Sequence, residues 1–173
     1  MKNQKISLRH IKLSDAKDYF ESYKNKEAEK GFITCLKSLL EAKKDIKWRM
    51  KEYKKDKNKR SHEMFVIEVN GAFAGWIDIH SLNVKHEKHK AVMGYGISKK
   101  FMGGGIATEA VKMITKYTFK EYKLKRLSGW CRTYNKASAK VLEKAGYKLE
   151  GILRKNKFKD GKYLDDMVWT KVK

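Results

Sequence analysis

Proline is absent from the 173 residues, and cysteine occurs twice, at Cys35 and Cys131. Two cysteines without metal-ligand spacing make neither a disulfide framework nor a zinc site, so no metal ligation is expected. No apolar run approaches the roughly 20 residues that cross a bilayer as a helix, so no membrane partner is expected. The segment Met1–Ser7 carries lysines but lacks the apolar stretch of a signal peptide. A reducing cytoplasm is the expected location. Acidic residues are scarce: 20 Asp and Glu stand against 42 Lys and Arg, a formal charge of +22. That excess speaks about partners rather than fold. Nucleic acid, ribosomes, anionic cofactors and acidic proteins all fit it, and so does a solvated lysine-rich surface. The missing proline belongs to the same compositional bias.

What is present suffices for one domain over residues 1–173, since 41% of the chain is hydrophobic and 12% aromatic. No repeat or low-complexity linker interrupts it. Ile6 to Arg9 is a short strand candidate. Ser14 is placed to cap a helix running to about Tyr23, with Asp15 in its first turn. Glu27 to Tyr53 reads as an irregular helical region, and Lys51 to Arg60 as a basic helix end and loop. Met64 to Val69 and Ala72 to His80 are strands joined by Asn70-Gly71, the pair best suited to a type I′ turn. A strand at Ala91 to Ile97 precedes a helix at Gly103 to Tyr122. Ile106, Ala110, Met113, Ile114 and Tyr117 share one face of that helix. Leu127 to Cys131 is a strand, and Asn135 caps a helix to about Ala145, ended by Gly146. Strands near Tyr147–Gly151 and Tyr163–Val172 follow, with Asp160-Gly161 turning between them. The expected fold class is α+β: a mixed, largely antiparallel sheet flanked by helices.

Two patterns carry chemistry. The first is strand, glycine loop, helix: Met93-Gly94-Tyr95-Gly96-Ile97-Ser98, then Phe101-Met102-Gly103-Gly104-Gly105-Ile106-Ala107-Thr108. A helix N-terminus has unpaired N–H groups and partial positive charge, and glycine lets the backbone approach a pyrophosphate. Met102 to Ala107 is therefore a candidate phosphate cradle; a flexible turn would have the same sequence. No Gly-Lys-Ser/Thr ends the loop and no G-x-G-x-x-G spacing is present, which disfavours a P-loop and a dinucleotide fold. The second pattern is Asn135-Lys136-Ala137-Ser138, where an amide and a hydroxyl three residues apart share one side of a helix start. Simple helix capping would also explain it.

In their order and separation these patterns resemble the GNAT acetyltransferase superfamily, in particular its branch of ribosomal-protein and other protein N-terminal acetyltransferases. The family's cofactor loop reads Gln/Arg-x-x-Gly-x-Gly/Ala; here Gly105 and Ala107 match, and Met102 replaces the polar first position. Thr108-Glu109-Ala110 resembles the branch's continuation. Gly94-Tyr95, Asn135-x-x-Ser138, Lys144-Ala145-Gly146-Tyr147, Glu150-Gly151 and Gly161-x-Tyr163-x-Asp165 also match in order. Residues 25 to 62 match only loosely.

The resemblance implies a GNAT-like sheet whose central strands, Ala91–Ile97 and Leu127–Cys131, splay to admit the pantetheine arm of acetyl-coenzyme A. Met102, Gly103, Gly104, Gly105, Ile106, Ala107 and Thr108 would then line the cofactor, Ile97 would bind the arm through its backbone, and Asn135 and Ser138 through their side chains. An amine acceptor attacks the thioester directly, so Cys131 need not be a nucleophile. Some relatives use a tyrosine acid at the position of Leu142; the resembled branch has a serine, matching Ser138. A glutamate base found in relatives is replaced by Val92. His80, at a strand end with an imidazole suited to proton transfer, is the candidate base, with Glu87 nearby in sequence and an ordered water or an already neutral amine as alternatives. The expected reaction is acetyl transfer to a protein N-terminal amine. A small-molecule amine is a second acceptor class, and a non-enzymatic basic module for nucleic acid or ribosomes is a different reading. The Lys51–Arg60 run and Arg154, Lys155, Lys157, Lys159 and Lys162 are the expected polyanion contacts.

Overall fold

Alternation of apolar and polar residues builds the sheet. The computed structural model describes residues 4–24, 31–32 and 35–173. Strand β1 is Ile6–His10, β2 His62–Val69, β3 Ala72–His80, β4 Lys90–Ile97, β5 Arg126–Arg132, β6 Lys148–Lys159 and β7 Lys162–Val172. They form one seven-stranded sheet in the order β1-β2-β3-β4-β5-β7-β6. Every neighbouring pair is antiparallel except β4 and β5, which run parallel. The β2–β3 hairpin forms as the sequence predicts: Asn70 at φ 51° and Gly71 at φ 81° supply the two positive angles of the turn.

Helices α1 (Ala16–Glu21), α2 (Leu39–Lys54), α3 (Ile106–Glu121) and α4 (Lys136–Lys144) divide between the two faces. Under α3 and α4 lies a core of Phe65, Ile67, Ile77, Ile79, Met93, Ile114, Leu127 and Leu142. Under α1 and α2 lies a second core of Tyr19, Ile46, Met64, Val66, Phe73 and Trp76. Because side chains alternate along a strand, β2 and β3 feed both cores at once.

Three local expectations need correction. Ser14 caps no helix; it sits inside a 3₁₀ turn, Leu13–Asp15, drawn up by Asp15, whose carboxylate accepts from the Lys12 N–H and binds Arg9 at 2.7 and 2.8 Å. Helix α3 begins at Ile106, not Gly103, since Gly103 and Gly105 have φ of 80° and 77°, incompatible with a right-handed helix. The Glu27–Tyr53 region falls partly outside the described residues (25–30 and 33–34); α2 starts at Leu39, capped by Ser38 Oγ on the Glu41 N–H at 3.1 Å. The Lys51–Arg60 run is a helix end and loop, as expected, but a tethered one. Buried Glu52 accepts from Ser61 N–H and Oγ, Lys57 pairs with Glu121 at 2.7 Å, and Arg60 donates to the Tyr53 carbonyl at 2.7 Å.

Candidate active site

The parallel pair β4–β5 is joined over a short stretch only. Its register runs from Lys90↔Arg126 to Met93↔Gly129 and stops, although β4 continues to Ile97 and β5 to Arg132. Past Met93, β4 remains paired with β3 on its other side as far as Ile97↔Gly75. A gap therefore opens between the two central strands, narrow at Met93 and Gly129 and wide at Ile97. Unpaired backbone groups along it can bind an extended ligand.

Beyond the wide end come Met102 to Gly105 and the start of α3. Gly105 is the N-cap, and having no side chain it leaves the first-turn N–H groups without a side-chain cap. A Cβ added at Gly103 or Gly105 would meet nothing within 4 Å, so the loop backbone is open to a ligand. Gly104, Gly105, Thr108 and Lys144 line a cleft there, together with Gln4, Ile6 and Glu109. Lys144, which the sequence reading did not assign to the site, adds a cation beside the uncapped helix. These features fit a pyrophosphate, which seeks N–H groups and positive charge. Met102 is exposed and could contribute through its backbone.

On the α3/α4 face of the gap stand Tyr95 and Ser138. Asn135 caps α4 by accepting from the Ser138 N–H at 3.0 Å, which is the capping reading of that residue. Its carbonyl oxygen is committed to the cap, and a bond to a ligand would come from Nδ2. Ser138 Oγ lies 2.7 Å from Tyr95 Oη. Burial pushes the Tyr95 phenol up, so it remains a proton donor at neutral pH. Cys131 is buried, and burial raises its thiol as well, which suits a packed side chain more than a nucleophile. Leu142, at the position of the family's alternative acid, is fully buried, and a Cβ on Gly129 would touch it at 2.9 Å.

His80 does not join this group. It lies on the α1/α2 face of β3, paired across to Val92 and to His62. There it flanks Asp78, which is 7% exposed. Asp78 Oδ2 lies 3.0 Å from His62 Nε2 and 3.5 Å from Arg49 Nη1, and Oδ1 accepts from the Gly94 N–H at 3.0 Å. His80 Nδ1 stands 3.7 Å from the same Oδ1. Burial opposes ionisation of Asp78, but the neighbouring histidines, His62 foremost, and the Arg49 charge outweigh it and hold the carboxyl well below its usual range. A Cβ on Gly94 would meet Asp78 Oδ1 at 2.9 Å, and one on Gly96 would meet Trp76 Nε1 at 2.9 Å. The two glycines thus let Asp78 and Trp76 lie across β4. Trp76 is 5% exposed and its Nε1 has no hydrogen-bond partner among the described residues, so a ligand carbonyl could satisfy it.

This geometry agrees with what similar proteins show. Residues 5–148 match the model of the acetyltransferase (GNAT) domain. Over 97% of its length the chain is 28% identical to the probable N-acetyltransferase YjcK of Bacillus subtilis, covering 94% of that protein. Over 57% of its length it is 35% identical to half of the putative ribosomal N-acetyltransferase YdaF of the same organism. Over 64% it is 30% identical to 59% of the spermidine N(1)-acetyltransferase of Escherichia coli. Among solved structures, a probable acetyltransferase superposes with a TM-score of 0.85 at 25% identity, over 99% of this chain and 94% of that one. RimL, a ribosomal L7/L12 α-N-protein acetyltransferase in complex with coenzyme A, superposes with a TM-score of 0.82 at 18% identity, over 96% and 93%. Gapped parallel strands, an uncapped glycine-led helix and a family model spanning most of the chain converge: the chain belongs to the GNAT acetyltransferases and is an N-acetyltransferase that uses acetyl-coenzyme A.

Proposed function

We propose that this enzyme acetylates the α-amino terminus of a protein by direct transfer in the β4–β5 gap, and that it works in the cytoplasm. The observation that carries the reading is the Tyr95–Ser138 hydroxyl pair, 2.7 Å apart, beside the inner part of that gap. Bound acetyl-coenzyme A supplies an acetyl thioester for the amine to attack. Gly103, Gly104 and Gly105, with the first-turn amides of Ile106, Ala107 and Thr108, hold the pyrophosphate, and Met102 offers its backbone. Ile97 and Asn135 bind the pantetheine arm. Tyr95 donates to Ser138 Oγ and turns the serine hydrogen toward the departing sulfur, which Ser138 protonates. His80, on the opposite face, accepts a proton from the acceptor.

Two lines support a protein terminus: the similarity to YdaF and RimL, and the net charge of +22, which repels a polycation. The similarity to a spermidine acetyltransferase favours the second reading, a small polyamine acceptor. Comparing turnover of N-terminal peptides with that of spermidine decides between them. Ser138→Ala is expected to lower kcat about a hundredfold with little change in coenzyme A affinity. Gly105→Asp should weaken coenzyme A at least about tenfold by opposing the pyrophosphate with a like charge. Wild-type kcat in Ser138→Ala would remove the serine from the mechanism.

The same reading gives the basic surface a use as a ribosome or RNA contact. The β6–β7 hairpin carries Arg154, Lys155, Lys157, Lys159 and Lys162 beside Phe158 and Tyr163, which are 61% and 63% exposed with ring centroids 5.0 Å apart. The Lys51–Arg60 run contributes less, because much of its charge is matched by Glu52, Glu63 and Glu121. Binding to structured RNA that falls steeply with salt is the expected outcome, and no binding at low salt would remove this contact.

A further inference from the structure

The geometry points to a second proton-handling cluster, on the acceptor side of the sheet: Asp78 positions His80 as the base, and that base is matched to α-amino groups rather than to lysine or polyamine side chains. This rests on the reading that transfer occurs in the β4–β5 gap.

Three placements carry it. First, Asp78 Oδ1 bonds the N–H of Gly94, the first β4 residue past the end of the parallel register. The cluster therefore touches the inner end of the gap. The glycine loop follows the wide end, so a ligand anchored there extends inward toward Gly94. Second, Asp78 and His80 share the face opposite Ser138. In the proposed arrangement the acceptor enters from the His80 face, and the leaving sulfur is met from the Ser138 face. Third, the residue across from His80 is Val92, which offers no carboxylate, while the His80 side chain is 41% exposed. Nδ1 faces Asp78, which leaves Nε2 as the proton acceptor. Around the pair stand His62 from β2, Arg49 and its partner Asp45 from α2, and the Gly94 amide from β4.

The chemistry balances simply. An N–H bond of the acceptor ammonium breaks and its proton moves to Nε2, then to water. The freed lone pair forms the C–N bond as the C–S bond breaks, and Ser138 protonates the sulfur. The second proton shed by nitrogen restores Ser138 through solvent. α-Amines ordinarily titrate near 7.7–8.0 and lysine near 10.4. Whatever the base, removing the proton from an α-ammonium is therefore roughly three hundredfold easier than removing it from a lysine.

The test is kcat/KM from pH 5.5 to 9.5 for wild type, His80→Gln and Asp78→Asn. The acceptors are a peptide with a free α-amine and an Nα-blocked lysine peptide, with coenzyme A affinity measured in parallel. His80→Gln is expected to lose about a hundredfold at pH 7 and its acid limb, with less loss at pH 9.5, where the amine is already neutral. Asp78→Asn should keep an acid limb moved to lower pH, because the imidazolium has lost a neighbouring negative charge. Coenzyme A affinity should stay within about twofold, since neither residue lies at the phosphate loop. A wild-type rate and limb in His80→Gln would overturn the base, and an unmoved limb in Asp78→Asn would overturn the positioning role. If Asp78→Asn fails to fold, His62→Gln takes its place, with the limb again expected to move. Preference for the lysine peptide would overturn the match to α-amines and the N-terminal reading together. Loss of the His80 effect alone would leave N-terminal acetylation standing.

Discussion

Two carboxylates are buried on neighbouring strands, and their surroundings differ in kind. Glu63 on β2 is fully buried on the α3 face. It meets His10 at 2.7 Å, Arg60 at 3.1 Å, Tyr122 at 2.6 Å and Tyr117 at 3.1 Å. Burial, and then Glu63 itself, pushes both phenols up, so the tyrosines stay protonated and keep donating. Asp78 on β3 faces α2, with two imidazoles and the Arg49 guanidinium beside it and the Gly94 N–H donating to it. The Glu63 cluster, in which two phenols donate to the carboxylate, ties β1 and the end of α3 to the sheet; the Asp78 cluster joins α2, β2, β3 and β4.

That contrast can be broken experimentally. The largest effect is expected from Glu63→Ala, which strands Arg60 and two hydroxyls: about 3–5 kcal/mol lost in denaturant unfolding. Tyr122→Phe removes one bond to the carboxylate and should cost about 1.5–3 kcal/mol, with turnover of the folded enzyme unchanged. Gly94→Ala drives a methyl against Asp78 Oδ1 and should cost about 1–3 kcal/mol, this time with a fall in kcat. The subtlest difference lies in acid. Both carboxyls are held below their ordinary range, so each contributes stability that is complete above about pH 4 and fades as pH falls through the lower folded values. Melting temperature against pH should therefore drop below about pH 4 in wild type, and flatten partly in Glu63→Gln and in Asp78→Asn.

The β2–β3 turn and the glycine loop were legible because their rules are local: two positive φ angles in one case, an uncapped helix start in the other. The family resemblance drew Ser138 out of a motif that capping alone explains. His80 was visible as a histidine at a strand end, but Asp78, His62 and Arg49 were not, because the β2–β3–β4 register gathers residues 62, 78, 80 and 94 and the packing of α2 brings Arg49 to them. One signal was present in the sequence. Trp76, Asp78 and His80 alternate with Ile77 and Ile79, and polar groups at every second position of a strand covered on both faces need a reason. Tyr95 was noticed only as part of a motif. Its bond to Ser138 spans 43 residues.

Strand β6 lies at one side of the sheet and, among the described residues, pairs with β7 alone. Leu149, Ile152, Leu153 and Phe158 stand exposed along it, so the strand offers both a free ladder and an oily surface to another copy. Lysines 148, 155, 157 and 159, with Arg154, share that edge. Their mutual repulsion opposes self-association by strand addition. The protection is electrostatic and shrinks with the Debye length, from about 10 Å at 0.1 M salt to about 3 Å at 1 M.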